Sequence, residues 1–333
     1  MKRYLLKHST LLILFIIYLL LWSLKELKPE YSQLIVQLVT YATIAQAYNI
    51  FLGMTGYVDF GYVSYYGLGL YGMAIAIKYA SERNIVPEQA VALGVLLSLL
   101  MAGLIASVVG GIALRLRGAY FAIATIGLSQ ALRYFIEGTG LWGGSEGLII
   151  ARDLREIFGE ERFSYATIIL PDIGIFVSCL ISTIVLYVVR VSRLGLGLLA
   201  VREDEDAAEV LGVNTVRYKF LAFIISALLA SVVGSMWSLK VTAIFPPESF
   251  NIAFSVEAIV ITMLGGAGTI LGPLVGASLY TLSKYFLGVM LPGFQLLIFS
   301  LLLIPIVVVF RQGIVGEVRI LLFRVKILRE IIR

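Results

Sequence analysis

Five carboxylates, Glu203, Asp204, Glu205, Asp206 and Glu209, crowd into one short stretch between two long apolar runs. Two more acids, Asp59 and Glu257, lie inside apolar runs. A carboxylate at membrane depth costs at least a few kcal/mol, so it faces protein or water and reads by default as functional. It could bind a proton or Na⁺, or keep a passage wet. The structural alternative for each is an internal hydrogen bond or a position near a run's end. Metal chemistry is poorly served. The only histidine, His8, precedes the first apolar run, and the only cysteine, Cys179, excludes an internal disulfide and makes a thiolate metal site implausible. No nucleophile motif and no paired in-membrane acids at catalytic spacing occur, so an enzyme is not expected. No G-x-x-x-x-G-K-[ST] phosphate loop exists either: Gly265-Gly266-Ala267-Gly268 lacks the lysine. No cofactor is therefore expected on this chain.

The elements that must position these groups are membrane helices. Of 333 residues, 60% are hydrophobic and 14% charged, against about 25% charged in an average soluble domain. Mean hydropathy is +0.97. Apolar runs fall near 9–24, 33–52, 58–79, 89–114, 119–136, 166–191, 218–240, 252–265, 268–287 and 290–310. Several approach the roughly 20 residues that cross a bilayer. The expectation is an all-α polytopic membrane protein of about ten spans, with a single permease-like domain over 1–310. Runs 58–79 and 252–265 are weak enough to be broken or re-entrant. The basic start (Lys2, Arg3, Lys7) and apolar core of residues 1–24 read as a retained first helix.

Lys and Arg collect on one side of this arrangement: Lys2, Arg3 and Lys7, then Arg115 and Arg117, then the island 192–217, then the tail 311–333. The positive-inside rule makes that side cytoplasmic, with both termini there. The loop 137–165, with three basic and six acidic residues, falls outside. The pI near 9.2 reflects these flanks and not a nucleic-acid surface. The tail winds Arg319, Lys326, Arg329 and Arg333 onto one face, a helix suited to lying on lipid.

Within the island, acids at a helix start suit the macrodipole, small Ala207 and Ala208 permit close approach of a partner, and Gly212 can end the helix. Glycines crowd 53–72 and 265–276, which permits close helix packing or an irregular backbone lining a path. Thr55, Tyr57, Tyr62, Tyr65 and Tyr66 surround Asp59 and could line a passage for a zwitterion or form an interfacial belt. Trp22, Trp142 and Trp237 read as interface anchors.

The segments Ser192-Arg193-Leu194-Gly195, Ala200-Val201-Arg202-Glu203-Asp204-Glu205-Asp206-Ala207-Ala208, Leu211-Gly212-Val213-Asn214, Pro247-Glu248-Ser249-Phe250, Ser255-Val256-Glu257 and Leu264-Gly265-Gly266-Ala267-Gly268-Thr269 carry a resemblance. So do Leu116-Arg117-Gly118-Ala119-Tyr120-Phe121-Ala122 and Gly143-Gly144-Ser145-Glu146-Gly147-Leu148. In this order the chain resembles the LivM-type permease subunits of branched-chain amino-acid ABC importers. The resemblance implies a type II importer-like subunit of a prokaryotic plasma membrane, with a second permease, two ATP-binding subunits and an extracytoplasmic binding protein as partners. It implies that ATP and Mg²⁺ act on the partners, and that Glu203, Asp204, Asp206, Ala207, Ala208 and Gly212 form the ATPase-coupling loop. Thr55, Tyr57, Asp59, Tyr62, Glu257, Gly265, Gly266 and Gly268 would border the path, and Gly144, Ser145 and Glu146 would help seat the binding protein. One departure stands out. Where relatives read Gly-x-x-Ser-Phe-Gly-His, this chain has Gly56-Tyr57-Val58-Asp59-Phe60-Gly61-Tyr62, which leaves urea, amide or sugar permeases open as alternatives. An ion-coupled carrier using Asp59 and Glu257 is the rival from another class.

Overall fold

The computed structural model describes residues 2–290 and 313–317. Thirteen α-helices form among them: α1 (Lys2–Leu27), α2 (Ser32–Tyr48), α3 (Val63–Glu82), α4 (Pro87–Ala113), α5 (Ala119–Thr139), α6 (Ala151–Phe158), α7 (Leu170–Val191), α8 (Arg193–Glu203), α9 (Glu205–Val210), α10 (Thr215–Val241), α11 (Pro246–Ser249), α12 (Ile252–Gly265) and α13 (Gly272–Met290). Among the described residues, five helical stretches are long and apolar enough to cross a membrane: Pro29–Gly53, Pro87–Ala113, Glu160–Val191, Thr215–Val241 and Pro246–Gly265. The expected run 290–310 and nearly all of the tail 311–333 lie outside the described residues.

Two expectations about element boundaries change. The run 58–79 is not a broken helix: α3 is continuous for 20 residues, and the irregular backbone is confined to the loop 56–62 before it. The run 252–265 is helical but only 14 residues long, preceded by the short α11.

Helix α2 is central, with 89% of its span window buried. Its neighbours include α7, α10, α12 and α13, while α3 packs between α4 and α10. Close approach of α3 and α10 depends on glycine. A Cβ on Gly69 would sit 2.2 Å from the Ser231 carbonyl oxygen, and one on Gly234 would sit 2.2 Å from that of Tyr66. Membrane helices lack a hydrophobic drive to associate with one another, and small residues let their backbones make dispersion contacts instead. Helix α4 shows the same logic in its sequence. Ala90, Gly94, Ser98, Ala102, Ala106 and Gly110 recur every fourth residue and are buried, while Leu104, Val108 and Ile112 point outward. An outward face of large apolar side chains suits lipid and not water.

The ends of the bundle are distinguished by their ties. At one end, β1 (Leu148–Ile149) pairs antiparallel with β2 (Ala243–Ile244), and Ser81 donates to Glu156 at 2.9 Å. Near that end Asp172 is fully buried and receives two cations. Its Oδ1 accepts from Lys240 Nζ at 2.5 Å, and Lys25 Nζ lies 3.1 Å from Oδ2. The triad ties the end of α1 and the end of α10 to the start of α7. Removing the carboxylate would leave two ammonium groups facing each other in the bundle. Asp172→Ala is therefore expected to cost about 3–5 kcal/mol, the usual penalty for breaking a buried ion pair. A thermal melt in detergent reads this, and an unchanged midpoint would show that the triad adds nothing to stability.

Candidate functional site

At the opposite end, α8, α9 and the start of α10 stack into a capped unit. Ser192 accepts a hydrogen bond from Gly195 N at 3.4 Å to start α8. Asp204 accepts from Ala207 N at 2.9 Å to start α9, and Asn214 accepts from Arg217 N at 3.1 Å to start α10. Gly212, at φ +87°, reverses the chain after α9, a backbone state that L-residues with side chains resist. The expected acids and glycine thus cap a short helix. One detail is corrected: Ala208 is buried at 2% exposure, so of the two alanines only Ala207 is presented outward. Glu205 and Ala208, three apart on the helix, turn inward together.

What holds α9 in place is Lys219, buried to 1% in α10. Its Nζ donates to Glu205 Oε1 at 2.6 Å and to the Tyr57 hydroxyl at 3.4 Å, and lies 4.4 Å from the Tyr57 ring centre. The Tyr57 hydroxyl in turn donates to Glu205 Oε2. Burial alone would raise the Glu205 carboxyl above its ordinary range. The hydrogen bonds from Lys219 and Tyr57, with the Lys219 charge, more than offset this, and the group ends below it. A lowered carboxylate contributes stability above its ordinary pKa and loses it only as pH falls through the folded value, so the pair is intact at neutral pH.

Arg202 makes a second tie. Its Nη1 donates to the Gly53 carbonyl at 2.6 Å and to the Ala267 carbonyl at 3.3 Å. Gly53 closes a five-residue π turn, Asn49–Gly53, at the end of α2. Buried Asn49 joins that turn to the loop between α12 and α13, accepting from Gly268 N and donating to Thr269 O, each at 2.7 Å. A Cβ on Gly53 would lie 2.5 Å from Gly268 N. The two glycine-rich segments, far apart in sequence, therefore meet and are bridged by one arginine from the island. Arg117, on the α4–α5 turn, adds exposed contacts to Asp206 at 2.6 Å and Glu209 at 3.5 Å.

The remaining candidates separate. Glu203, Asp204, Asp206 and Gly212 are exposed on the island. Thr55, Asp59 and Tyr62 are buried: Thr55 donates to Phe51 O, Asp59 Oδ1 accepts from Gly61 N at 2.8 Å, and Tyr62 donates to Ile44 O. Asp59 thus braces the turn that starts α3, the structural alternative weighed for it. Tyr57 joins the Lys219 cluster. Glu257, on α12, is paired with Lys284 at 2.8 Å, whose Nζ also donates to the Tyr41 hydroxyl. Gly265, Gly266 and Gly268 form the α12–α13 connection, the latter two at positive φ. Gly144, Ser145 and Glu146 lie in a tight turn at the β1–β2 end.

Two residues at the end of α9 were not singled out as site residues from sequence. Val210 and Leu211 are 88% and 83% exposed, an apolar tip on an otherwise charged surface. Their place in the motif was visible; their projection was not.

Residues 31–308 match the family described as branched-chain amino acid transport system / permease component. The chain belongs to that family. This permease is 30% identical over 269 residues to the high-affinity branched-chain amino acid transport system permease protein LivM of Salmonella typhimurium, covering 73% of this chain and 60% of that one. Against BraD of Pseudomonas aeruginosa, of the same description, it is 28% identical over 286 residues, 78% of this chain and 87% of the relative. LivH of Escherichia coli matches at 26% over 293 residues, 84% and 92% of the two chains. The match spans about 60% of the LivM relatives' length. No solved structure matches. As a member of this family, the permease is a multi-pass membrane protein.

Proposed function

We propose that this permease is one membrane half of an ATP-driven importer for branched-chain amino acids, with both termini and the island cytoplasmic and about ten spans in a type II-like arrangement. A second permease supplies the other half, two ATP-binding subunits dock beneath, and an extracytoplasmic binding protein delivers substrate at the β1–β2 end, near Gly144, Ser145 and Glu146. ATP and Mg²⁺ act on the ATP-binding partners. The tail 311–333 rests on the inner leaflet.

The observation that carries this reading is the island's double wiring. Helix α9 offers Val210 and Leu211 outward, while Lys219 and Arg202 tie its inner side and α8 to the two glycine-rich loops. A push on the tip reaches both loops through short, charged contacts. An ion-coupled carrier needs an available intramembrane acid, but Asp59 braces its own turn and Glu257 is paired with Lys284.

The test is purification of the tagged chain from native membranes in mild detergent. Co-purification of ATPase and second-permease chains, with ATP-dependent leucine uptake after reconstitution, is the expected result. Recovery of the chain alone, with uptake driven by an ion gradient, would overturn the reading.

A further inference from the structure

A cavity of about 240 Å³ opens between the middle of α2 and α3, the end of α10, and α11, on the β1–β2 side of the buried Asp59 cluster. That is below the usual range for drug-sized ligands and suits something smaller. Its walls include Trp237, Phe245 and Phe254, and one acid, Glu248, which is exposed. Trp237, expected from sequence to be an interface anchor, lines this space. Tyr66 lines it too, stacked on Phe254 at 4.3 Å between ring centres. Among the described residues, the buried Tyr66 hydroxyl has no hydrogen-bond partner and can donate into the cavity, while the exposed Gln37 amide stands at its rim.

The set is complete for one chemical class. An anion for an ammonium group, a buried donor with a second at the rim for a carboxylate, and aromatic surface for an apolar side chain share one small space. A neutral sugar or urea would make no use of the Glu248 charge, and urea would also leave the aromatic wall uncovered. We propose that this cavity is a transit site for zwitterionic amino acids with apolar side chains, the ammonium toward Glu248, the carboxylate toward Tyr66 and Gln37, and the side chain against Trp237 and Phe254. The inference rests on the importer reading and moves the selective part of the path away from Thr55, Asp59 and Tyr62. Affinity is low by construction, because Glu248 is exposed and its attraction is screened by water.

The test blocks the cavity after folding is complete. Ala243 lines it, and the chain's only cysteine, Cys179, is buried. An Ala243→Cys complex with its ATPases and binding protein is reconstituted and then labelled with a benzyl methanethiosulfonate, with label stoichiometry read by mass. Labelling is expected to cut leucine uptake tenfold or more while binding-protein-stimulated ATP hydrolysis continues, and a reducing agent should restore uptake. Wild type treated identically should be unaffected. Glu248→Gln is expected to lower leucine uptake about threefold, the scale of an exposed, water-screened charge pair. A fully labelled complex that imports leucine at the unlabelled rate overturns the cavity assignment, and unchanged uptake by Glu248→Gln overturns the ammonium placement. A wild-type complex that imports none of leucine, isoleucine and valine overturns the importer reading, and this inference with it.

Discussion

Lys219→Met is expected to leave the complex assembled and hydrolysing ATP while ATP-driven uptake falls at least tenfold. Lys219 is the buried cation that holds Glu205 and Tyr57 together. Without it, Glu205 stays largely enclosed with only a phenol as partner, and breaking such a pair costs about 3–5 kcal/mol. Helix α9 is six residues long and has no stability of its own at that length. Its inner face would release from α10, and a push from an ATPase would swing a loose helix instead of the loops behind it. The measurement is leucine transported per ATP hydrolysed in proteoliposomes. A normal ratio would remove Lys219 from the transmission route. The double variant Lys219→Met with Glu205→Gln leaves no orphaned charge, so it should recover part of the stability. It should recover little of the coupling, since the Lys219 link from α10 to α9 and Tyr57 remains unmade. That split separates a mechanical role from a merely stabilising one.

The second large effect is expected at the tip. Val210→Ser with Leu211→Ser should abolish co-purification of the ATP-binding subunits while leaving the melting temperature of the isolated chain within a degree or two. Both side chains are almost fully exposed in this chain, so their removal costs the fold little. Burial against a partner would contribute about 1.5–3 kcal/mol each, and losing both weakens binding at least hundredfold. If the ATPases still co-purify in full, the docking surface lies elsewhere on the island, and the exposed pair Arg117–Asp206 becomes the next place to look.

These two residues and Lys219 differ in how far the sequence exposes them. Long apolar runs located the helices because lipid contact acts residue by residue along each segment. Caps were legible for the same reason: Asp204 reaches Ala207 N and Gly212 follows α9, interactions that span three or four residues. The order of the family motifs identified the permease. The sequence does not show what lies beside each acid. Asp59 and Glu257 read as path residues or as internal structural ties; the Asp59 carboxylate accepts from Gly61 two residues on, and Lys284 pairs with Glu257 from the next helix.

The sequence by itself determined that this is a polytopic helical permease with a charged, capped island between its sixth and seventh apolar runs. Only the tertiary structure decided what the island touches. Arg202 meets Gly53 across 149 residues, Lys219 meets Tyr57 across 162, and Asn49 meets Gly268 across 219. Local pattern encodes interactions within a helical turn. Pairings at such separations depend on which helices pack and how closely their glycines let them approach, and that is settled only when the whole bundle closes.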